Sequence, residues 1–226
     1  ALANVYAALA DRMEEALRER FVRTMTAWGK AILVSTRRWL SDPVLTRMAY
    51  NNHLPRQRCG TLALGLALGR EDWIAEALDG PSNFDEILAG CVRDDGLCYE
   101  SSTLYHFATT GALARQAELV RHAPQLGRDL WHRAVANGRC LRQMYDAPLN
   151  LLLPNGELPP VGDCYANRTP AWKRLSARYE VPYAVYRDPH YAWLLQRSGL
   201  RRSLQALLYG AEDVPLGRPP AGGTRL

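Results

Sequence analysis

The chain has 226 residues, of which 47% are hydrophobic and 23% charged, and its net charge is +5 with a pI near 9.1. These values are typical of a folded soluble protein with ample material for a core. The basic excess is too small to argue for nucleic acid, and no apolar stretch approaches the roughly 18 residues of a membrane span.

Apolar residues recur at helical spacing nearly throughout the chain, and no convincing strand alternation appears. The pattern predicts an all-α fold. The first half gives a helix or helix pair over 2–40 ended by Ser41-Asp42-Pro43, then helices over 54–68, 71–78 and 84–92. The second half gives helices over 102–121 and 126–145, an irregular loop over 153–163, and three further helices near 170–180, 188–198 and 200–209.

Short connections between these helices favour antiparallel hairpins, and small apolar helices such as 61–68 would suit the inner ring of a toroid. We assign 1–215 to one helical domain and 216–226 to a linker toward a missing C-terminal domain. The chain begins inside a helical pattern and looks trimmed, so the lack of a visible signal peptide is weak evidence about compartment.

Lysine occurs only at Lys30 and Lys173, so nearly all the positive charge is arginine. Arginine binds carboxylate or sulfate through two parallel hydrogen bonds, which is compatible with an anionic polymer as substrate. A compositional bias of the genome is the alternative. The five cysteines have irregular spacing and no CxxC pair, which argues against a disulfide framework or a zinc site and leaves one disulfide open.

Two helices begin with polar side chains gathered on one side. Asn52, His53, Arg56 and Gln57 cluster at the start of the first. Ser102, Tyr105, His106 and Thr109 follow the spacing i, i+3, i+4, i+7 on the second, and Leu104 and Phe107 lie on its other side. A solvated face is the alternative, but this stripe lacks Lys, Glu and Arg, so we predict that it lines a cavity. Asn51 or Asn52, and Ser101 or Ser102, are also natural helix caps.

Three segments in order resemble the heparinase II/III-like polysaccharide lyases, a group that includes alginate lyases. They are Asn51-Asn52-His53 before an apolar helix, the pattern Asp-Gly-x-x-Tyr-Glu-x-Ser-x-x-Tyr-His-Phe over 95–107, and the proline-glycine loop 153–163. The loop ends in Gly162-Asp163-Cys164, where the family has Gly-Asp-Ser. Ser101 stands where the family commonly has glycine.

The resemblance implies an α/α-toroid followed by a β-sandwich domain, with an active site between the two. It implies β-elimination on a polysaccharide containing uronic acid. Asn52 would neutralise the carboxylate, and His53 and Tyr105 would serve as base and acid. Arg56, Gln57, Glu100 and His106 would support or bind the substrate, whereas Asp163 would shape its loop. His122, His132 and His190 receive no role.

The expected partners are an anionic polysaccharide or oligosaccharide and the C-terminal β-sandwich domain. No cofactor is expected in this domain, and a structural metal in the missing domain stays open. A periplasmic or secreted location is expected, with the cytoplasm as the alternative. Two rival functions remain: a toroid glycoside hydrolase using two of Asp95, Glu100 and Asp163, and a non-catalytic helical module that binds anionic glycans.

Overall fold

The structure, a computed structural model, describes residues 2–45, 51–164, 170–199, 201–212 and 214–220. It is 65% helical, and these ranges contain no β-strand. The nearest approach to a sheet is an isolated antiparallel bridge between Val92 and Cys98. The predicted all-α class is confirmed.

Ten α-helices occupy the described ranges: α1 Leu2–Leu9, α2 Glu15–Ser41, α3 His53–Leu68, α4 Glu71–Asp79, α5 Phe84–Cys91, α6 Thr103–Arg121, α7 Leu141–Asn150, α8 Ala171–Tyr186, α9 Pro189–Arg197 and α10 Leu204–Tyr209. Single 3-10 turns cover Ala10–Arg12 and Pro124–Leu126. None of these helices combines the length and apolar character that a membrane crossing requires.

Local side-chain chemistry explains several helix ends. The Asp42 carboxylate accepts the backbone N–H of Val44 at 2.8 Å, so the chain turns where α2 ends. Gly69 ends α3 with φ +64°, a left-handed conformation that glycine adopts without a steric penalty. The Asn83 side chain accepts the N–H of Glu86 at 3.1 Å and thereby starts α5.

The predicted helix over 126–145 is wrong, because the regular helix in this region is α7, which begins at Leu141. Gly127 and Gly138 both have positive φ. Between them the Asp129 carboxylate accepts the N–H groups of Trp131 at 3.0 Å and His132 at 3.2 Å. Such side-chain bonds compete with the helical ladder. The apolar spacing correctly indicated buried residues, since Trp131 is 1% exposed, but the backbone that carries them is irregular and not helical.

The chain divides into two compact units. The first unit comprises Ala1–Cys91 with Ala112–Gly138, and the second comprises Val92–Gly111 with Arg139–Leu226. The sequence led us to assign a single domain over 1–215. The division puts the Asn52-His53 segment in the first unit, and both the Tyr105 segment and the Gly162-Asp163 loop in the second.

In the first unit, α3 packs against both α2 and α4. The core of this unit includes a fully buried arginine, Arg58, which is 0% exposed. The Arg58 guanidinium donates to the Glu76 carboxylate at 2.9 Å, to the Glu76 carbonyl at 3.0 Å and to the Pro81 carbonyl. A buried charge is tolerated only when it is paired and hydrogen-bonded, and this one connects α3 to the end of α4.

In the second unit, α8 packs against α9 and α10, and three buried tyrosines form the centre. The Tyr179 ring lies 5.5 Å from that of Tyr145 and 5.2 Å from that of Tyr191. Two of these phenols have an acceptor within the core: Tyr179 donates to the Tyr145 carbonyl at 2.7 Å, and Tyr191 to the Asp146 carboxylate at 2.6 Å. This core joins α7, α8 and α9.

Candidate active site

The second unit brings together two motifs that are distant in sequence, the start of α6 and the Gly162-Asp163 loop. The Tyr105 hydroxyl donates to the Asp163 carboxylate at 2.5 Å. The Ser102 hydroxyl donates to the Asp163 backbone carbonyl at 2.8 Å. Ser102 also accepts the N–H of Leu104 at 3.2 Å, so it is the N-cap of α6 as well as an anchor for the loop.

Backbone geometry holds the same two motifs close together. Gly162 has φ +66°, and a methyl group at this position would collide with the Ser101 carbonyl oxygen. Ser101 itself has φ +54°, in the left-handed region that favours glycine. Ser101, which stands where the lyases that this sequence resembles commonly have glycine, therefore adopts a glycine-like conformation.

His106 is part of this arrangement, but it is 1% exposed and both ring nitrogens are engaged by backbone groups. Nδ1 accepts the N–H of Cys98 at 3.2 Å, and Nε2 lies 2.8 Å from the Met144 carbonyl, to which it donates in the neutral tautomer. Burial lowers the pKa of His106 to about 4, against weaker opposing effects of the Met144 carbonyl and Asp95. His106 is therefore a neutral ring that joins the Cys98 turn, α6 and α7.

The rest of the predicted stripe is also inside the protein. Ser102 is 4% exposed and Thr109 is 0% exposed, whereas Tyr105 is partly exposed. Burial rules out the alternative of a solvated face. Within the stripe, Tyr105 is thus partly exposed, and its hydroxyl is hydrogen-bonded to a carboxylate.

The Asn52-His53 segment lies at the start of α3 in the first unit. The capping bond there belongs to Asn51, whose side chain accepts the N–H of His53 at 2.9 Å. Asn52 is 5% exposed and makes no side-chain cap, so the capping alternative applies to its neighbour. The His53 ring is exposed and stacks on Trp39, with centroids 5.1 Å apart.

The predicted substrate-binding residues have different environments. Arg56 is exposed, and Glu100 is half-buried beside Ser101. Gln57 is engaged with α2: its amide oxygen accepts from Thr36 at 2.8 Å, and its amide nitrogen donates to Ser35 at 3.0 Å. The catalytic and binding roles of all these residues stay predictions.

Sequence reasoning missed a cleft of about 240 Å³ in the second unit. Its lining side chains come from the first turns of α6, the end of the glycine loop, and α8: Thr103, Leu104, Phe107, Cys164, Arg174, Leu175 and Arg178. The cleft lies along the side of α6 that we had assigned away from the polar stripe, and Leu104 there is 49% exposed. The feature of the sequence that could have indicated this cleft is the pair Arg174 and Arg178, which lie four residues apart on α8.

A larger cavity of about 380 Å³ in the first unit has its charges already paired. Arg128 contacts the Asp79 carboxylate at 2.8 Å, and Arg133 contacts Asp85 at 2.5 Å. All five cysteines are free thiols. Across the described ranges, no group of three or more His, Cys, Asp or Glu side chains is placed to hold a metal ion.

No protein-family model matches the sequence, and neither curated proteins nor solved structures give a match to it. The function is therefore argued from the residues themselves.

Proposed function

We propose that this chain is the helical domain of a polysaccharide lyase that cleaves a polymer containing uronic acid by β-elimination. The main support is the Tyr105 hydroxyl, which is partly exposed and held at 2.5 Å by the Asp163 carboxylate. The same bond joins two of the three segments on which the lyase resemblance rests.

The proposed reaction removes the C5 proton of a uronate and breaks the C4–O4 bond. A base takes the C5 proton, the electron pair forms the C4–C5 double bond, and an acid protonates the departing O4. Charge develops on the uronate carboxylate, so a neutral amide donor such as Asn52 would stabilise the transition state. Loss of one such donor typically raises a barrier by about 2.7–4 kcal/mol.

The Asp163 contact bears on the division of roles. A carboxylate that accepts from a phenol keeps the phenol protonated before the reaction, which is the form that an acid needs and that a base cannot use. Tyr105 is therefore better suited to protonate O4 than to remove the C5 proton. His53 is the proposed base, since imidazole suits proton abstraction near neutral pH and this ring is exposed.

Other parts of the proposal rest on the resemblance alone. They are the incomplete α/α-toroid of antiparallel helical hairpins, a following β-sandwich domain that would complete the site, a periplasmic or secreted location, and substrate contacts by Arg56, Gln57 and Glu100. For His106 we propose a positioning role beneath Tyr105, because its ring nitrogens already bind the backbone of Cys98 and Met144.

The test is to incubate the intact protein, including the proposed β-sandwich domain, with alginate, heparan sulfate, chondroitin or hyaluronan and to follow the absorbance of the new double bond. If no uronate polymer yields this product, the lyase proposal fails. Tyr105→Phe should abolish product formation on an active substrate. Tyr6→Phe, which removes a phenol in the first unit, is the matched control and should keep the parental rate.

Asp163→Asn tests the acid assignment more finely. It keeps the size of the side chain and the backbone carbonyl that binds Ser102, but it removes the charge facing the phenol. A hydrogen bond to a charged group contributes about 1.5–3 kcal/mol, so we expect a fall in kcat of roughly ten- to a hundredfold. An unchanged kcat would show that the contact does not orient the acid.

A non-catalytic domain that binds anionic glycans is the second candidate, and the two arginines of the α8 cleft favour it. Glycan binding without any unsaturated product would support this candidate. Glycoside hydrolysis has weaker support, because the Asp95 carboxylate accepts the N–H of Leu97 at 2.9 Å in a turn and Asp163 holds Tyr105.

A further inference from the structure

Two arginines one helical turn apart on α8 face the first turns of α6 across the cleft in the second unit. Arg178 is anchored: its Nη1 donates to the Phe107 carbonyl at 3.3 Å, and its guanidinium carbon lies 5.5 Å from the centre of the Phe107 ring. Arg174 lines the same cleft and is exposed. One guanidinium is thus fixed by the protein, and its neighbour is open to a ligand.

Arg174 has no carboxylate partner among the described residues that line this cleft. None of its described lining residues is acidic, and no carboxylate of the described ranges pairs with Arg174. Three other arginines, Arg58, Arg128 and Arg133, each contact a carboxylate within 2.9 Å. A bound anion would give Arg174 a charge-assisted hydrogen-bond partner.

The remaining lining residues suit a ring-shaped ligand better than a bare ion. Leu175 and Phe107 are 4% and 6% exposed and form an apolar floor, and Leu104 adds a half-exposed apolar edge. Thr103 and Leu104 belong to the first turn of the 19-residue helix α6, whose dipole adds positive potential at this end. Cys164, the residue after Asp163, also lines the cleft.

We propose that this arginine cleft binds an acidic sugar unit through its carboxylate or sulfate group, with Arg174 as the main contact. The inference rests on the proposed function in one respect: the unit would belong to the polymer on which Tyr105 acts. The cleft and Tyr105 lie on different sides of α6, and residues 163–164 connect them, because Asp163 holds Tyr105 and the adjacent Cys164 borders the cleft. The cleft is then a specificity-determining subsite that recognises the charge of a sugar unit in that polymer.

The test measures binding of an alginate hexasaccharide by calorimetry in the Tyr105→Phe background, where the proposed turnover is removed. Arg174→Ala should weaken binding about tenfold, the effect expected for one hydrogen-bonded charge pair. Lys173→Ala is the matched control, because it removes the same charge from the neighbouring exposed position outside the cleft lining. It should stay within about twofold of the background, in keeping with screening of exposed charges.

A neutral hexasaccharide should bind with the same low affinity to Arg174→Ala and to Lys173→Ala. A sulfated hexasaccharide shows whether a sulfate group can replace the carboxylate as the group that the cleft recognises. Arg174→Lys keeps the charge but loses the fork, so it should give a loss smaller than that of Arg174→Ala. Equal losses for Arg174→Ala and Lys173→Ala would overturn the proposal, as would failure of every acidic hexasaccharide to bind. Circular dichroism of the variants confirms that folding is unchanged.

The two proposals fail in different ways. Binding that depends on Arg174, together with no unsaturated product from any polymer, would leave the cleft standing and remove the lyase function. Product formation with a KM that Arg174→Ala does not change would leave the lyase function standing and remove the cleft.

Discussion

Acidification from pH 6.5 to 4 is expected to destabilise the second unit through His106. Burial lowers the pKa of this imidazole from 6.5 to about 4 in the folded protein. Between these values the unfolded chain binds a proton that the folded chain does not. The stability contributed by neutral His106 is therefore fully present above pH 6.5 and is lost as the pH falls toward 4.

The size of the effect follows from the pKa difference. One pKa unit corresponds to about 1.4 kcal/mol, so the loss across the interval is on the order of 3 kcal/mol. The ring is 1% exposed, and little solvent screening is expected. The physical cause is burial of the ring, which disfavours its charged form. Protonation would also turn Nδ1 from an acceptor into a donor facing the Cys98 N–H, whose nitrogen lies 3.2 Å away.

Urea unfolding of the parent and of His106→Gln at several pH values between 7 and 4 tests this reasoning. Carboxylates that titrate in this range affect both proteins equally, so the informative quantity is the difference between the two curves. The parent should lose about 3 kcal/mol more than His106→Gln over the interval. His122→Gln, which changes an exposed imidazole, should behave as the parent does.

Parallel curves for the parent and His106→Gln would refute the assignment of His106 as a buried neutral ring. A variant with parental stability and weakened glycan binding would also refute it, because that result would make His106 a direct substrate contact.

Three further changes test the fold around the sites. Gly162→Ala should lower the free energy of unfolding by about 1–3 kcal/mol and also reduce activity, because the added methyl group would collide with the Ser101 carbonyl and Gly162 has a positive φ. Thermal unfolding measures the loss of stability, and the absorbance of the unsaturated product measures the loss of activity. Arg58→Ala should cost about 3–5 kcal/mol, measured by urea unfolding, because it leaves buried carbonyls without a donor. Burial raises the pKa of Cys59 to about 11, so iodoacetamide at pH 8 should label this thiol far more slowly than the partly exposed Cys164, as peptide mass spectrometry would show.

Helix positions were largely predictable because their signals are local. Apolar spacing and nearby breakers gave α3 with its end at Gly69 and α5 with its cap at Asn83. They gave α6 with a cap at either Ser101 or Ser102, and in the structure the cap is Ser102. The segment over 127–140 was mispredicted because the Asp129 side chain and two glycines compete with helix formation, although the apolar spacing remains helical.

The candidate site was predictable in composition but not in geometry. The sequence singled out Tyr105, His106 and the Gly162-Asp163 loop, and it gave no indication that the phenol would meet the Asp163 carboxylate. It also treated His106 as a support without showing that backbone groups occupy both nitrogens. The arginine cleft was missed because Arg174 and Phe107 are separated by more than sixty residues and meet only after folding.

The sequence by itself determined the helical class, most helix ends and the residue types available for chemistry, because these depend on contacts within a turn or two of the chain. Tertiary structure alone decided which of those residues are reachable. Packing buried Ser102, His106 and Thr109 while leaving Tyr105 partly open, and it set Arg174 beside the apolar floor of a cleft. The reason is that exposure and pairing depend on segments far apart in the chain, whose approach no local pattern encodes.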